Sequence, residues 1–327
     1  MSIQSSNVYR WSKESDKKIK RAENKKLTYG EYYERFITSR KVLGVSEATI
    51  NFYKWNLKAL NLYLVNNGIH YINSITKEDI DDFIVNLQEI YENKITIHTY
   101  LRATRTFLKY AMESEYVPKF NIRLIKLERH IKEVYNDDEI IKLLKKPDLK
   151  KCSFSEYRDW VMVQYFLETG NRLNSVINIK VEDVGFPEHI VKLRKTKNRK
   201  QMFSPIAESF SKVLYEYIET WKLNREDYLF PNFERKQLTR NAIQNAISRY
   251  NKRRGVEKTS IHAFRHTFAK NYIIKGGNAF KLQLLLGHSG MEITRQYVNL
   301  YGNDLTNDFE KFSIIDEYSH KSRIKRK

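Results

Sequence analysis

The sequence holds a single cysteine, Cys152, among 327 residues. That scarcity excludes an internal disulfide framework and a multi-cysteine zinc site, and it fits a reducing compartment. No stretch approaches the ~20 consecutive apolar residues that span a bilayer. The N-terminal MSIQSSNVYRWSKESDKKIKR lacks the apolar core of a signal peptide. The expectation is a soluble protein of the cytoplasm with no membrane partner. Internal repeats and low-complexity blocks are absent as well. Acidic residues are also short. Asp and Glu number 39 against 59 Lys and Arg, for a formal charge of +20. Such an excess favours a polyanion, most commonly nucleic acid, although solubility alone could account for it. What is present is the composition of a folded chain, 41% hydrophobic and 13% aromatic. The length suits two domains, each able to bury its own core.

Residues 1–26 are polar and basic and read as a flexible tail. Helical periodicity begins at Thr28, where TYGEYYERFITSRKVL places Tyr29, Tyr32, Tyr33, Phe36 and Ile37 on one face. Ser46 opens a second helix, with Ile50, Tyr53, Leu57, Leu60 and Leu64 in phase and Gly68 at its end. Thr76 is an N-cap for TKEDIDDFIVNLQEIY, whose acidic first turn suits the helix dipole. A fourth helix over 96–114 carries His98, Arg102, Arg105 and Lys109 along one side. Four helices in residues 27–116 read as a small all-α domain. Residues 117–134 are a charged connector, and residues 135–302 a second domain whose first helix is capped by Asn136 or Asp137. Helices are predicted over 156–168, 208–222, 239–254, 262–274, 279–286 and 291–300. Between His189 and Pro205 lies a hairpin with a basic turn. Residues 303–327 form an amphipathic stretch, with Leu305, Phe309, Phe312 and Ile315 on one face, and a basic tail.

Five segments of the second domain hold residues suited to phosphoryl transfer. Arg172 follows a helix break in LETGNRLNSVINIKVEDV, and Lys197 sits in the turn of the hairpin. His262 and Arg265 are three apart in SIHAFRHTFAK, hence on one side of a helix. His288 lies in LLLGHSG, and Tyr297 follows nine residues later in MEITRQYVNL. A phosphodiester under attack gathers negative charge on its non-bridging oxygens, which two guanidinium forks and histidine donors can clamp. A tyrosine hydroxyl serves as nucleophile if its proton leaves as it attacks. The departing 5′-oxygen needs a proton, which a lysine reaching in from a loop can give. No metal or cofactor is required by this chemistry.

The order and spacing resemble the catalytic domain of tyrosine recombinases, the phage integrase class that includes Xer and lambda-type enzymes. TGNRLNSVINIKVEDV resembles that family's first arginine box, HAFRHTFA its His-x-x-Arg box, and LLGHSGMEITRQY its final box. The resemblance covers the motifs of residues 135–300; the N-terminal helices match the family's core-binding domain in pattern only. It implies a mainly α fold with a small β-sheet, in which a four-helix core-binding domain and an α+β catalytic domain form a clamp on DNA. It implies that Arg172 and Arg265 hold the scissile phosphate and that Tyr297 attacks it, forming a covalent 3′-phosphotyrosine. His262 and His288 would give acid–base help and phosphate hydrogen bonds, and Lys197, chosen over Lys195 and Lys200, would protonate the leaving oxygen. It further implies double-stranded recombination sites, a homotetramer on two paired sites, and accessory DNA-bending proteins. The setting would be a bacterial cytoplasm, with association to the nucleoid when DNA is bound, and the work integration, excision or resolution for a mobile genetic element. One departure stands out: Ser175 occupies the position, three after the first arginine, where the family has Glu or Asp.

Singly, these residues have plainer readings. Arg172 can pair with Glu168, His288 can cap a helix, and the basic run KLRKTKNRK can be a solvated loop. His262 and His266 have the i, i+4 spacing of a zinc pair, yet HAFRH lacks the glutamate of His-Glu-x-x-His and places a cation between them. His266 is expected to be structural. Arg102, Arg105 and Lys109 are expected to touch phosphates. Two rivals stay open: a DNA-binding protein of this fold without chemistry, and a type IB topoisomerase without site choice.

Overall fold

A computed structural model describes residues 27–127, 133–194, 201–288 and 290–301. The described residues divide into two compact units, the first ending at 127 and the second starting at 133. The first is all helical: α1 (Tyr29–Val42), α2 (Glu47–Asn66), α3 (Lys77–Ile90) and α4 (Lys94–Glu113). Each begins where the chain offers a side-chain acceptor to orphan N–H groups. Thr28 with Glu31 and Thr76 with Asp79 form reciprocal capping boxes, while Ser46 and Asn93 cap singly. The fourth helix starts two residues before the predicted one, because Asn93 supplies a cap to Ile95 N at 2.9 Å. The core gathers on Phe107, whose ring meets Tyr29, Tyr32 and Phe36 with centroids at 5.2, 5.8 and 5.3 Å. Truncating such a fully buried ring costs about 3–5 kcal/mol, so Phe107→Ala is the change that would break this unit.

The second unit is built around one helix. It contains α5 (Asp137–Leu144), α6 (Phe154–Thr169), α7 (Leu173–Val176), α8 (Glu208–Thr220), α9 (Arg240–Arg253), α10 (Ile261–Ile274), α11 (Ala279–Leu286) and α12 (Met291–Tyr301). Of the two candidate caps for α5, Asn136 is the one used, in a capping box with Glu139. Helix α6 is buried on most of its circumference, through Tyr157, Trp160, Val161, Val163, Tyr165 and Phe166, and packs against α5, α8, α9 and α10. A helix apolar on nearly all sides belongs at the centre of a domain. It stops at Gly170, which adopts φ 60°. A Cβ there would also lie 2.6 Å from the Phe268 ring, so both conformation and space demand glycine.

The predicted hairpin is present as β2 (Ile190–Leu193) and β3 (Met202–Pro205), with Val191 opposite Ser204 and Leu193 opposite Met202. Val191 and Leu193 point into the core. A third strand, β1 (Val184–Gly185), pairs antiparallel with β2 and completes a three-stranded sheet. Two residues are too few to show alternation, which hid this strand, and four-residue α7 was hidden for the same reason. Lys195, Lys197 and Lys200 in the hairpin turn lie outside the described residues, as do the N-terminal tail and the stretch from Leu305 to Ile315. No described helix is long and apolar enough to cross a membrane.

Candidate active site

Two arginines meet at the C-terminal end of α11. Arg265, buried on α10, donates from Nη2 to the Leu286 carbonyl at 2.7 Å and from Nη1 to the Gly170 carbonyl at 2.8 Å. Arg172, just beyond the end of α6, donates from Nη1 to the same Leu286 carbonyl at 3.2 Å and to Gly287 at 3.1 Å. Both partners exist because helices end there: orphan carbonyls at a helix C-terminus carry partial negative charge and accept cations. Gly287 takes φ 58° to turn the chain away. The alternative pairing of Arg172 with Glu168 is not formed, since Glu168 accepts from Ala207 N at 2.7 Å.

No carboxylate among the described residues neutralises this arginine pair. Burial, followed by the nearby Arg172 cation, pushes the Arg265 guanidinium down to about 9. Arg172 is lowered by burial too. In both cases the Tyr297 hydroxyl acts in the opposite sense, which puts it within the electrostatic reach of both. Arginine keeps its proton at neutral pH even so. The direction measures an uncompensated positive field, and an anion arriving between the two forks would relieve it.

Tyr297 itself is 1% exposed, on α12, with its hydroxyl 2.6 Å from Nδ1 of His266. His266, read from the sequence as structural, sits one turn along α10 from His262 and reaches the phenol. Arg265 and His266 are adjacent in sequence, so one reaches the carbonyls while the other reaches the hydroxyl. His262 has one edge in solvent. Partial burial, then Arg265, Arg240 and Arg172, lower its pKa. His288 is buried, and its ring orientation is set by a 2.9 Å bond between Nδ1 and Thr294 Oγ1. The zinc-like spacing of His262 and His266 gains no third ligand, for no group of three or more His, Cys, Asp or Glu gathers among the described residues. Ser175, at the position of departure, is buried beside Arg172, its N–H bonded to the Arg172 carbonyl at 2.9 Å.

Comparisons with known proteins give the family. A model described as Phage integrase family matches residues 133–303, just over half the chain, and one described as Phage integrase, N-terminal SAM-like domain matches residues 31–115. The chain belongs to the phage integrase family. The tyrosine recombinase XerD of Staphylococcus epidermidis is 30% identical to it over 291 residues, covering 86% of this chain and 97% of that protein. The XerD of Staphylococcus aureus strain N315 is 28% identical over the same length. Among solved structures, a lambda integrase dimer bound to a COC′ core site gives a TM-score of 0.67 at 15% identity, covering 86% of this chain and 79% of that one. The Tn1549 transposon integrase with transposon right end DNA gives 0.68 at 18% identity, covering 88% and 98%. These last two carry the fold: a helical N-terminal domain and a mostly helical catalytic domain with a small sheet. As a tyrosine recombinase the chain is an enzyme of site-specific DNA recombination, cleaving and rejoining strands.

In the recombinase's first unit, Arg102, Arg105 and Lys109 lie on the exposed side of α4, while Leu101, Thr104 and Leu108 are buried. With Arg40, Tyr110 and Leu124 they line an open groove. Arg102 stands 6.0 Å from the Phe52 ring centroid, and Lys109 is 3.7 Å from Glu113. Arg40 was missed by sequence reading because it belongs to another helix; only the fold brings it to this face.

Proposed function

We propose that Tyr297 is the nucleophile of strand cleavage and that Arg172 and Arg265 clamp the scissile phosphate. The observation that carries this reading is the buried Tyr297 hydroxyl, bonded to His266 beside two guanidiniums that hang from backbone carbonyls and keep their charge for an incoming anion. The phenolic oxygen forms a bond to phosphorus as the bond to the 5′-oxygen breaks. The tyrosine proton passes to an imidazole, the acid–base role of His262 and His288, and Lys197 gives a proton to the 5′-oxygen. Donors on the arginines, His262 and His288 take up the charge that grows on the non-bridging oxygens. Because the protein–DNA ester replaces the bond broken, a second 5′-hydroxyl reverses the step without ATP. His266 positions the hydroxyl through the 2.6 Å bond to its Nδ1.

Residues 27–116 would serve as the core-binding domain, with Arg102, Arg105 and Lys109 on phosphates, and residues 135–302 as the catalytic domain, the two closing on duplex DNA. The assembly would be a homotetramer on two paired sites. The lambda integrase solved as a tetramer bound to a Holliday junction supports that assembly for this fold. We place the enzyme in the bacterial cytoplasm, on the nucleoid when bound, acting for a mobile genetic element with accessory bending proteins. Incubation with nicked duplexes tiled across the DNA flanking its own gene tests both chemistry and role. The expected result is a covalent adduct at one short site, released as free DNA by protease. A protein that binds without an adduct is the chemistry-free rival, and relaxation of any supercoiled plasmid marks a topoisomerase.

A further inference from the structure

We propose that the catalytic unit carries a second phosphate-binding site, a basic cavity walled by α5, α6 and α9 at the end of the domain opposite the arginine pair. The cavity has a volume of about 490 Å³, and its lining sets six cations against the carboxylates of Glu156 and Asp159. Its distance from the cleavage site follows from two helices. Helix α6 has Gly170 and Arg172 just past its last residue and the cavity residues Glu156, Arg158 and Asp159 in its first turns. Helix α9 has Arg240, whose charge reaches His262, at its start and Arg249, Arg253 and Arg254 at its end. At 1.5 Å per residue, these helices of 16 and 14 residues separate the two places by about 20 Å. A phosphate in the cavity is therefore not the scissile one.

The walls are fixed by bonds that leave the rim uncommitted. Arg254 Nη1 donates to the Lys145 carbonyl at 2.5 Å and the Lys142 carbonyl at 3.3 Å, tying α9 to the end of α5. The Tyr250 hydroxyl donates to Leu143 O at 2.7 Å. Arg158 is spent on Asp159 at 2.7 Å and on Pro231 O at 2.8 Å, which cancels one of the two carboxylates and leaves Glu156 as the other. Four cations remain: Lys142, Lys145, Arg249 and Arg253. Among the described residues none of their side chains forms an ion pair or hydrogen bond, whereas neighbouring Lys146 and Lys258 find Glu216 and Glu139. Arg249 and Arg253 are one turn apart, where like charges oppose helix formation. Their field reaches the floor, since both act to lower the Asp159 carboxyl that burial raises.

Guanidinium forks and ammonium groups converging on a small preformed cavity select a tetrahedral oxyanion, and the volume admits a run of phosphates rather than one. Such a run is offered by a nucleic-acid backbone outside the cleavage site or by a free oligophosphate. The inference does not rest on the assignment of Tyr297, and its test requires no cleavage. Three full-length proteins are compared: wild type, Arg249→Gln with Arg253→Gln, and a control of equal charge loss on the same unit, Lys212→Gln with Lys236→Gln. Tripolyphosphate binding is followed by calorimetry and that of a labelled duplex of arbitrary sequence by anisotropy, with melting curves to confirm folding at these exposed positions. The cavity pair should weaken tripolyphosphate binding at one site at least tenfold while the control matches wild type. A parallel loss for the duplex identifies the backbone as the source; a loss confined to tripolyphosphate identifies a free oligophosphate. Equal losses in both variants, or none in either, would overturn the site and leave only a diffuse positive field.

Discussion

Replacing His266 by phenylalanine removes the Nδ1 partner 2.6 Å from the Tyr297 hydroxyl and keeps a ring in its place. Losing one partner of a hydrogen bond between enclosed groups costs about 1–3 kcal/mol. If the bond positions the hydroxyl through the transition state, and 1.36 kcal/mol is tenfold in rate, strand cleavage should slow about 5- to 150-fold. DNA affinity should stay within about threefold, because the arginine pair is held by other atoms. His266→Asn supplies the decisive comparison. Its amide places a polar atom where Nδ1 stands, so it should recover most of the rate, while His266→Gln, whose amide falls one bond farther out, should not. The assay is single-turnover formation of the covalent adduct on a nicked duplex at saturating enzyme, with melting curves to exclude unfolding. Wild-type cleavage by the phenylalanine variant would refute the reasoning, as would an asparagine variant no faster than the phenylalanine one.

Tyr297→Phe should bind DNA with affinity near that of wild type and give no adduct in a denaturing gel. Replacing Arg102, Arg105 and Lys109 together by glutamine should reduce the slope of log affinity against log salt by roughly 0.9 for each phosphate no longer neutralised, read from binding titrations in rising salt. For His262, a folded pKa held below its ordinary value means the unfolded chain takes the proton first as pH falls. Its contribution to stability is thus present above about pH 6.5 and is lost as acidification proceeds towards the folded pKa. Arg240→Gln, which removes one of the cations responsible, should raise the imidazole pKa in an NMR titration. EDTA should leave adduct formation unchanged, and a strict divalent-metal requirement would contradict a mechanism run on side chains alone.

Much of this was legible from residues in order. Caps at Thr28, Ser46, Thr76 and Asn136 announced helices because hydroxyl and amide acceptors are local signals, satisfied within one turn. The order of Arg172, His262, Arg265, His288 and Tyr297 pointed to phosphoryl transfer because the reaction needs those groups together. What stayed hidden was long-range. No spacing rule says that Arg172 and Arg265 share the Leu286 carbonyl, 114 and 21 residues away. Nor does periodicity say that His266 reaches Tyr297, 31 residues on. The basic end of α9 carries no local signal of a cavity, since its companions Lys142 and Lys145 lie about a hundred residues earlier in the chain.

The hanging of both arginines on main-chain oxygens has a consequence for how such an enzyme can vary. A peptide carbonyl is written into every amino acid, so no single codon change at Leu286 can delete the support, and Gly287 and Gly170 guard only its direction. Ser175 brings no carboxylate to this pair, and both cations hang instead from the carbonyls of Leu286, Gly287 and Gly170. Inactivation by mutation should therefore concentrate where α11 can be pushed aside, at the glycines and at Phe268 and Met202 that crowd them.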